Sequence, residues 1–261
     1  MDKIQKKGGI SMIQEANHGV LHATAERLFS GWEETMITSC LQGEMGKLYT
    51  DDDSAAAFLG DISFFAGKPS RALVQFHPEQ NRHFQIMVPG DASWEQEIEV
   101  CYPGCKKVTR YAFRKDTVFD QEKLKELSQQ LPEGYSRKLI DQELFQWSRR
   151  QDWCRDWVSQ FESYDDYAKR GLGVVILKDG LPVSGASSYS VYREGIEIEI
   201  QTLPSHRRKG LATCAAAALI LECLNRGIYP SWDAANLWSV GLAQKLGYIL
   251  SHEYTAYFVR R

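Results

Sequence analysis

A basic segment that contains one glycine has the residue types best suited to binding an anion. Arg207, Arg208 and Lys209 precede Gly210, and the sequence predicts that a helix begins within this segment. The first N–H groups of a helix lack partners and carry a partial positive charge, and a residue without a Cβ lets an anion approach the backbone. The segment therefore predicts a phosphate or pyrophosphate site. Considered alone, the segment is more typical of a solvated charged face, and the elements around it favour the anion site instead.

Two glutamates upstream of this segment are candidates for acid–base chemistry. Glu197 and Glu199 lie in residues 196–201, where isoleucine alternates with Glu or Gln, so the two carboxyl groups share one face of a predicted strand. A positioned carboxylate that accepts the proton of an amine contributes roughly 10²- to 10⁴-fold to a rate. The alternative is that both glutamates are solvated on the open face of an antiparallel sheet.

Other polar clusters give no comparable signal, and we predict no metal site. Cys101 and Cys105, with His77 and His83 as the nearest further candidates, lack the spacing of a zinc motif and are interpreted as incidental thiols. The acidic run 51–53 is interpreted as a solvated loop or a helix cap. The patterns of nucleoside triphosphate loops and of dinucleotide-binding folds are both absent from the sequence.

The elements predicted around the basic segment place it at a strand-to-helix junction. An antiparallel meander of three strands is predicted over residues 173–202, with an Asp179-Gly180 turn. A helix beginning within residues 207–212 and continuing to Arg226 follows, then a strand over 228–232 and a helix over 237–246 that ends at Gly247.

The first part of the chain carries a mixed pattern without a chemical motif. A helix is predicted near residues 21–29, strands over 71–76 and 84–88, a helix over 120–131 and a strand over 135–140. The aromatic residues of 152–169 predict a helix with a core-facing stripe. We place a domain boundary near residue 115, so that 1–115 is a mixed α/β region of unknown role, with a loose terminus over 1–9, and 116–261 is the second domain.

Composition limits the class of protein. The 261 residues are 43% hydrophobic, and 31 basic against 34 acidic residues give a net charge of -3, which disfavours nucleic acid and acidic membranes as partners. Six scattered cysteines and the absence of a signal peptide predict a cytoplasmic protein, and no segment is predicted to span a membrane.

Two motifs give the chain a family resemblance. Residues 207–212, Arg-Arg-Lys-Gly-Leu-Ala, and residues 236–248, from Asn236 through Leu242 to Gly247-Tyr248, resemble the two signatures of the GNAT superfamily of acyl-CoA-dependent N-acetyltransferases. The resemblance covers about residues 135–258. Within the superfamily, residues 197–212 and 230–236 resemble the bacterial subgroup that includes the zwittermicin A resistance acetyltransferase.

The resemblance implies a fold, a coenzyme and a binding site. The fold would be α+β, with a mixed, mostly antiparallel sheet flanked by helices and an added N-terminal α/β region. Acetyl-CoA would be the co-substrate, its pyrophosphate held by the backbone amides of residues 208–212 and its pantetheine arm by the main chain of 201–203. The implied coenzyme-binding residues are Gln201, Thr202, Leu203, Arg207, Arg208, Lys209, Gly210, Leu211, Ala212, Asn236 and Ser239.

The implied reaction is direct acetyl transfer to a primary amine of a small molecule, an antibiotic or a metabolite, with Glu197, Glu199 and Tyr248 as catalytic candidates. Many family members have a tyrosine after Leu242 that protonates the leaving thiolate, whereas this chain has Ala243. Ser239, Tyr248 or Tyr254 would take that role, or the thiolate would leave unaided. A non-catalytic acyl-CoA-binding regulatory or scaffold protein is the alternative, and a homodimer is compatible with either.

Overall fold

The computed structural model describes residues 12–51, 53–78 and 84–260. The helices are α1 Gly19–Leu28, α2 Thr35–Leu41, α3 Arg71–Gln75, α4 Ala92–Cys101, α5 Gln121–Gln129, α6 Gln142–Ser148, α7 Tyr164–Arg170, α8 Leu211–Asn225 and α9 Leu237–Leu246. The strands are β1 Gln14–Glu15, β2 Lys47–Asp51, β3 Ser54–Leu59, β4 Ile62–Gly67, β5 Phe84–Pro89, β6 Lys106–Phe113, β7 Tyr135–Leu139, β8 Gly173–Lys178, β9 Leu181–Tyr192, β10 Gly195–Thr202, β11 Tyr229–Ser231, β12 Asp233–Ala234 and β13 Leu250–Arg260. The predicted loose terminus over 1–9, Asp52 and His83 lie outside the described residues.

The chain divides into two compact units. The first comprises Met1–Trp32, Gly46–Val108 and Thr255–Arg261, and the second comprises Glu33–Met45 and Thr109–Tyr254. This division differs from a single boundary near residue 115, because it assigns an early segment to the second unit and the C-terminal segment to the first. A single boundary in the sequence cannot describe two units that are each built from separate segments of the chain.

The first unit is built on a sheet with strand order β1-β2-β3-β4-β5, and the end of β13 pairs with β5. Pairing is antiparallel except between β4 and β5, which are parallel. Trp94 of α4 is fully buried in its core with Phe65 and Leu73. The strand predicted over 71–76 is wrong: the Ser70 hydroxyl accepts a hydrogen bond from Leu73 N at 3.3 Å and begins the short helix α3.

The second unit is built on a five-stranded sheet with the order β11-β10-β9-β8-β7, antiparallel except for the β10–β11 pair. The predicted meander over 173–202 is confirmed, and Asp179 and Gly180 have φ values of 51° and 78°, as a tight hairpin turn requires. Helix α8, which is rich in alanine, packs closely against β8 and β9. The predicted helices that follow the basic segment are both confirmed. Separately, β12 pairs with β6.

The single helix predicted over 152–169 is wrong. A 3-10 turn at Arg155–Trp157 and helix α7 replace it. The core-facing interpretation of its aromatic residues is nevertheless correct for Trp157 and Phe161, which are 0% and 1% exposed. Trp157 lies against Gly185 so closely that a Cβ there would come within 2.7 Å of its ring. These aromatic side chains are therefore buried although the segment does not form one continuous helix.

The fold class is α+β, with mixed, mostly antiparallel sheets flanked by helices, as predicted. Across the part of the chain that the structure describes, no helix is both long and apolar enough to cross a membrane. The same residues contain no group of three or more His, Cys, Asp or Glu side chains arranged to hold a metal ion.

Candidate active site

The loop between β10 and α8 is the candidate anion site predicted from the sequence. Arg208 and Gly210 have φ values of 59° and 78°, so both lie in the left-handed region, and α8 begins at Leu211. A non-glycine residue in this region is uncommon and marks strain that the surrounding structure maintains. A Cβ on Gly210 would meet no described atom within 4 Å, so the space beside the loop is open. Among the described residues no side chain caps the start of α8, so the N–H groups of its first turn can bind an anion.

An open groove of about 460 Å³ runs beside this loop. Its lining residues are Thr202, His206, Arg207, Arg208, Gly210, Leu211, Ala212, Thr213, Leu237, Trp238, Gly241, Leu242 and Lys245. The loop supplies two arginines and α9 supplies Lys245, so positively charged side chains line both of its walls. Trp238 and Leu237 are 91% and 68% exposed, which leaves an apolar surface at the same groove.

Six of the predicted coenzyme residues line the groove: Thr202, Arg207, Arg208, Gly210, Leu211 and Ala212. The α9 residues were missed by sequence reasoning, although positions 237, 238, 241, 242 and 245 follow helical periodicity and so share one helix face. That spacing could have identified them.

The remaining predicted coenzyme residues have other partners in the structure. Leu203 N donates to Val183 O at 2.9 Å, and Lys209 Nζ donates to the Tyr135 hydroxyl at 3.2 Å. The Asn236 side chain caps α9 by accepting a hydrogen bond from Ser239 N at 3.0 Å. The Ser239 hydroxyl accepts from Trp232 Nε1 at 3.1 Å. The Gln201 amide donates to Glu199 at 3.0 Å.

Strands β10 and β11 of the second unit separate after a short paired stretch. β10 pairs with β11 only over Gly195–Glu197, opposite Tyr229–Ser231. On its other edge, β10 pairs with β9 as far as Thr202, with a bulge opposite the Glu197–Ile198 step. Bulges locally re-aim side chains and are common next to active sites. The edge of β10 from Ile198 to Thr202 is therefore not paired with β11 and can accept an extended ligand.

Glu197 lies at the point of separation and is buried, with 5% of its surface exposed. Its Oε2 accepts a hydrogen bond from the Thr35 hydroxyl at 2.5 Å, whereas its Oε1 has no partner among the described residues. Burial raises the pKa of Glu197, and the nearby Asp233 carboxylate adds to the rise while Lys115 opposes it. A desolvated carboxyl group with one free oxygen is suited to exchanging a proton.

A narrow cavity of about 10 Å³ adjoins Glu197. Its lining residues are Glu33, Glu34, Thr35, Met36, Ala112, Phe113, Lys115, Glu197 and Asp233. Burial also raises the pKa of Glu34. Lys115 Nζ donates to the Ser231 hydroxyl at 2.7 Å, and the Ser231 hydroxyl lies 3.5 Å from that of Thr35.

Asp233 is held on the wall of this cavity by Arg110, which is buried, and by Tyr254, which is half-buried. Arg110 Nε and a terminal nitrogen donate to Asp233 Oδ1 at 2.8 and 2.5 Å, and the Tyr254 hydroxyl donates to Oδ2 at 2.8 Å. The neighbouring Asp233 carboxylate raises the pKa of Arg110 despite the burial of the guanidinium. Arg110 thus offsets the negative charge of Asp233 and leaves Glu197, which is buried, and Glu34, which is half-buried, as the other acids of the inner cavity.

Sequence reasoning missed most of this cavity. Thr35 and Glu197 are 162 positions apart, and no spacing in the sequence connects them. The sequence came nearer to identifying Asp233 as a site residue, because Asp233 lies between the predicted strand over 228–232 and the Asn236 motif. Glu33 to Met36 show that the early part of the chain contributes to the cavity.

Glu199 and Tyr248 lie in other surroundings. Glu199 is half-buried and lines neither the groove nor the cavity. Tyr248 is 3% exposed, its hydroxyl donates to Pro230 O at 2.6 Å, and burial raises its pKa well above the ordinary value. Its ring packs on Phe119 and Trp232, so it contributes to the core behind the site.

Comparison with known proteins gives consistent matches. The family model of the GNAT acetyltransferases matches residues 26–257. YdfB of Bacillus subtilis strain 168, an uncharacterized N-acetyltransferase, is 28% identical over an alignment of 229 residues. The match covers 82% of this chain and 85% of that protein. The crystal structure of a GCN5-related N-acetyltransferase-like protein from Streptococcus suis is 44% identical, with a TM-score of 0.88 over 92% of this chain and 98% of that one.

A distant structure shares the fold alone. The glucosamine N-acetyltransferase region of a fungal multi-domain β-N-acetylglucosaminidase has a TM-score of 0.55 at 11% identity, over 95% of this chain and 38% of that one. The family match, by contrast, extends over most of the chain, including much of the region predicted to be a separate unit. The protein belongs to the GNAT acetyltransferase family and is an acyltransferase.

Proposed function

We propose that this protein transfers the acetyl group of acetyl-CoA directly to a primary amine of a small molecule. The observation that carries the proposal is the position of Glu197, buried with one free oxygen at the point where β10 and β11 separate. Thr202, at the other end of β10, lines the cationic groove. Five residues of strand span about 16 Å, a distance that an extended pantetheine arm can bridge.

The groove would hold the coenzyme by its phosphates. The pyrophosphate would bind the N–H groups at the start of α8, and Arg207, Arg208 and Lys245 would supply charge around it. The pantetheine arm would lie along the edge of β10 beyond Glu197, where pairing with β11 ends. Because Leu203 N is already bonded to Val183 O, we leave that N–H out of the proposed contacts.

The reaction would proceed by direct attack. The protonated amine of the acceptor loses a proton to the Glu197 carboxylate, directly or through one water molecule, since the cavity has room for about one. The amine nitrogen then forms a bond to the thioester carbon, the C–S bond breaks, and the nitrogen loses its second proton to water, giving a neutral amide and the CoA thiolate. A backbone N–H at the strand end would stabilise the intermediate oxyanion.

The thiolate would leave without a dedicated acid. Ala243 is fully buried in α9. Of the hydroxyl groups considered as substitutes, Tyr248 donates its proton to Pro230 O and Tyr254 donates to Asp233, while Ser239 accepts from Trp232 Nε1. A thiol of pKa about 8.5 is a tolerable leaving group near neutral pH, and water can protonate it afterwards.

The acceptor class proposed from the sequence is an antibiotic or a metabolite amine, in keeping with the resemblance to the zwittermicin A resistance subgroup. A cytoplasmic location is likewise proposed from the sequence. All six cysteines are free thiols, as expected in a reducing compartment.

A single assay tests the proposal. The protein is mixed with acetyl-CoA, a panel of primary amines and a thiol reagent that detects released CoA. We expect CoA release that depends on the amine, and we expect Arg207→Ala to weaken acetyl-CoA binding. Tight binding of acetyl-CoA without release for any amine would instead indicate a regulatory or scaffold protein.

A further inference from the structure

The cavity beside Glu197 carries an excess of acidic side chains. Its lining includes the carboxyl groups of Glu33, Glu34 and Glu197, with Lys115 as the opposing ammonium, while the charge of Asp233 is offset by Arg110. Three carboxyl groups therefore face one ammonium group. The Lys115 ammonium is directed to the Ser231 hydroxyl at 2.7 Å rather than to a carboxylate.

The burial of Glu197 distinguishes this cavity from an acidic surface. Its Oε1 is buried and has no hydrogen-bond partner in the described part of the chain. Leaving a buried polar atom without a partner is unfavourable, because the atom has lost its hydrogen bonds to water. An N–H donor placed in the cavity would remove that cost, and an ammonium donor would also favour the ionised carboxylate.

The size of the cavity restricts the donor. A volume of about 10 Å³ accommodates one group of the size of water, which an ammonium headgroup matches and a ring does not. Met36, Ala112 and Phe113 line the same cavity and offer apolar contacts to a carbon chain. Glu33 is exposed, and Glu34 is half-buried, so the acidic lining continues from the buried end to the surface.

We propose that the acceptor is a dication: a chain-like amine whose terminal ammonium enters the cavity beside Glu197 and whose second positive charge lies at Glu33 and Glu34. This inference rests on the proposed acetyl transfer and names its substrate class. The buried ammonium is the group that is acetylated, and the outer charge contributes binding. An anionic group at the outer position would be repelled by the same carboxylates.

The test uses three acceptors of equal length that differ only in the charge of the far end: 1,5-diaminopentane, 5-amino-1-pentanol and 5-aminopentanoate. We expect kcat/KM to fall in that order, with the diamine favoured over the alcohol by roughly three- to tenfold, as for a partly exposed ion pair. We expect Glu33→Gln with Glu34→Gln to remove this preference, so that the ratio of kcat/KM between the diamine and the alcohol falls to about one.

The control is Glu133→Gln, which removes a carboxylate from an exposed loop and should retain the preference for the diamine. Melting temperatures and acetyl-CoA affinities of all variants establish that each is folded and binds the coenzyme. Equal kcat/KM for the three acceptors, or a preference for 5-aminopentanoate, would overturn the dication proposal while acetyl transfer stands. Acetyl-CoA binding without CoA release for any amine would overturn the proposed function itself, and with it the inference.

Discussion

Replacing Glu197 by Gln removes the proposed base with little change in volume. A glutamine at this position retains an oxygen that can accept the 2.5 Å hydrogen bond from the Thr35 hydroxyl, so the local structure should persist. It cannot accept a proton from the acceptor amine. General base catalysis supplies roughly 10²- to 10⁴-fold, which corresponds to about 2.7–5.4 kcal/mol of transition-state stabilisation.

We therefore expect Glu197→Gln to lower kcat by two to four orders of magnitude. The affinity for acetyl-CoA should change by less than about threefold, since Glu197 does not line the groove. The assay is CoA release under saturating acetyl-CoA, with coenzyme affinity from isothermal titration calorimetry. A melting temperature equal to or above that of the parent protein would show that the variant is folded.

The variant Glu199→Gln tests whether catalysis depends on the buried carboxylate of Glu197 or on any carboxylate on this face of β10. Glu199 occupies the same face of β10 but lines neither the cavity nor the groove. We expect it to lower kcat by less than about tenfold. Turnover unchanged in Glu197→Gln, or lowered equally in both variants, would refute the assignment of Glu197 as the base.

Four further outcomes are expected. The value of kcat/KM should increase as pH rises through the raised pKa of Glu197, because the base acts when deprotonated, and Glu197→Gln should lack this dependence. Gly210→Glu should abolish acetyl-CoA binding measured by calorimetry, because it places a carboxylate where the pyrophosphate would lie and strains a φ of 78°. We place the exposed indole of Trp238 against the adenine end of the coenzyme, so Trp238→Ala should raise the KM for acetyl-CoA but not that for acetyl-pantetheine. Equal effects on both KM values would contradict that placement. Asp233→Ala should destabilise the fold by about 3–5 kcal/mol in urea unfolding, because Arg110 would retain an unpaired buried charge, and a loss below about 1 kcal/mol would contradict this.

The groove that we propose binds the coenzyme was largely predictable from sequence, because its determinants are local. Arg207 to Ala212 are contiguous, and the strand before them and the helix after them follow clear periodicities. The conformation of the loop, with Arg208 as well as Gly210 in the left-handed region, was not predictable, since an arginine rarely adopts it. Helical periodicity could have identified the α9 residues that line the groove, but apart from Lys245 these residues carry no charge that would have drawn attention to them.

The cavity was not predictable because its determinants are distant in sequence. Thr35 reaches Glu197 from α2, and Arg110 reaches Asp233 across 123 positions. Neither helix capping nor strand alternation encodes such pairings, which follow from how the segments of the second unit pack. Alternation did place Glu197 and Glu199 on one face, but it could not distinguish them, because burial differs along a face according to where the neighbouring strand ends.

The burial of Glu197 links activity to stability with a definite sign. Its pKa in the folded protein lies above the value of about 4.3 expected in the unfolded chain, so the folded state binds the proton more tightly. The free energy of unfolding therefore decreases as pH rises from about 4 to the raised pKa, and is constant above it. Glu197→Gln removes this loss. The variant should thus gain stability over the parent protein across the pH range in which the parent gains activity, as expected when a desolvated base is retained for catalysis at the expense of the fold.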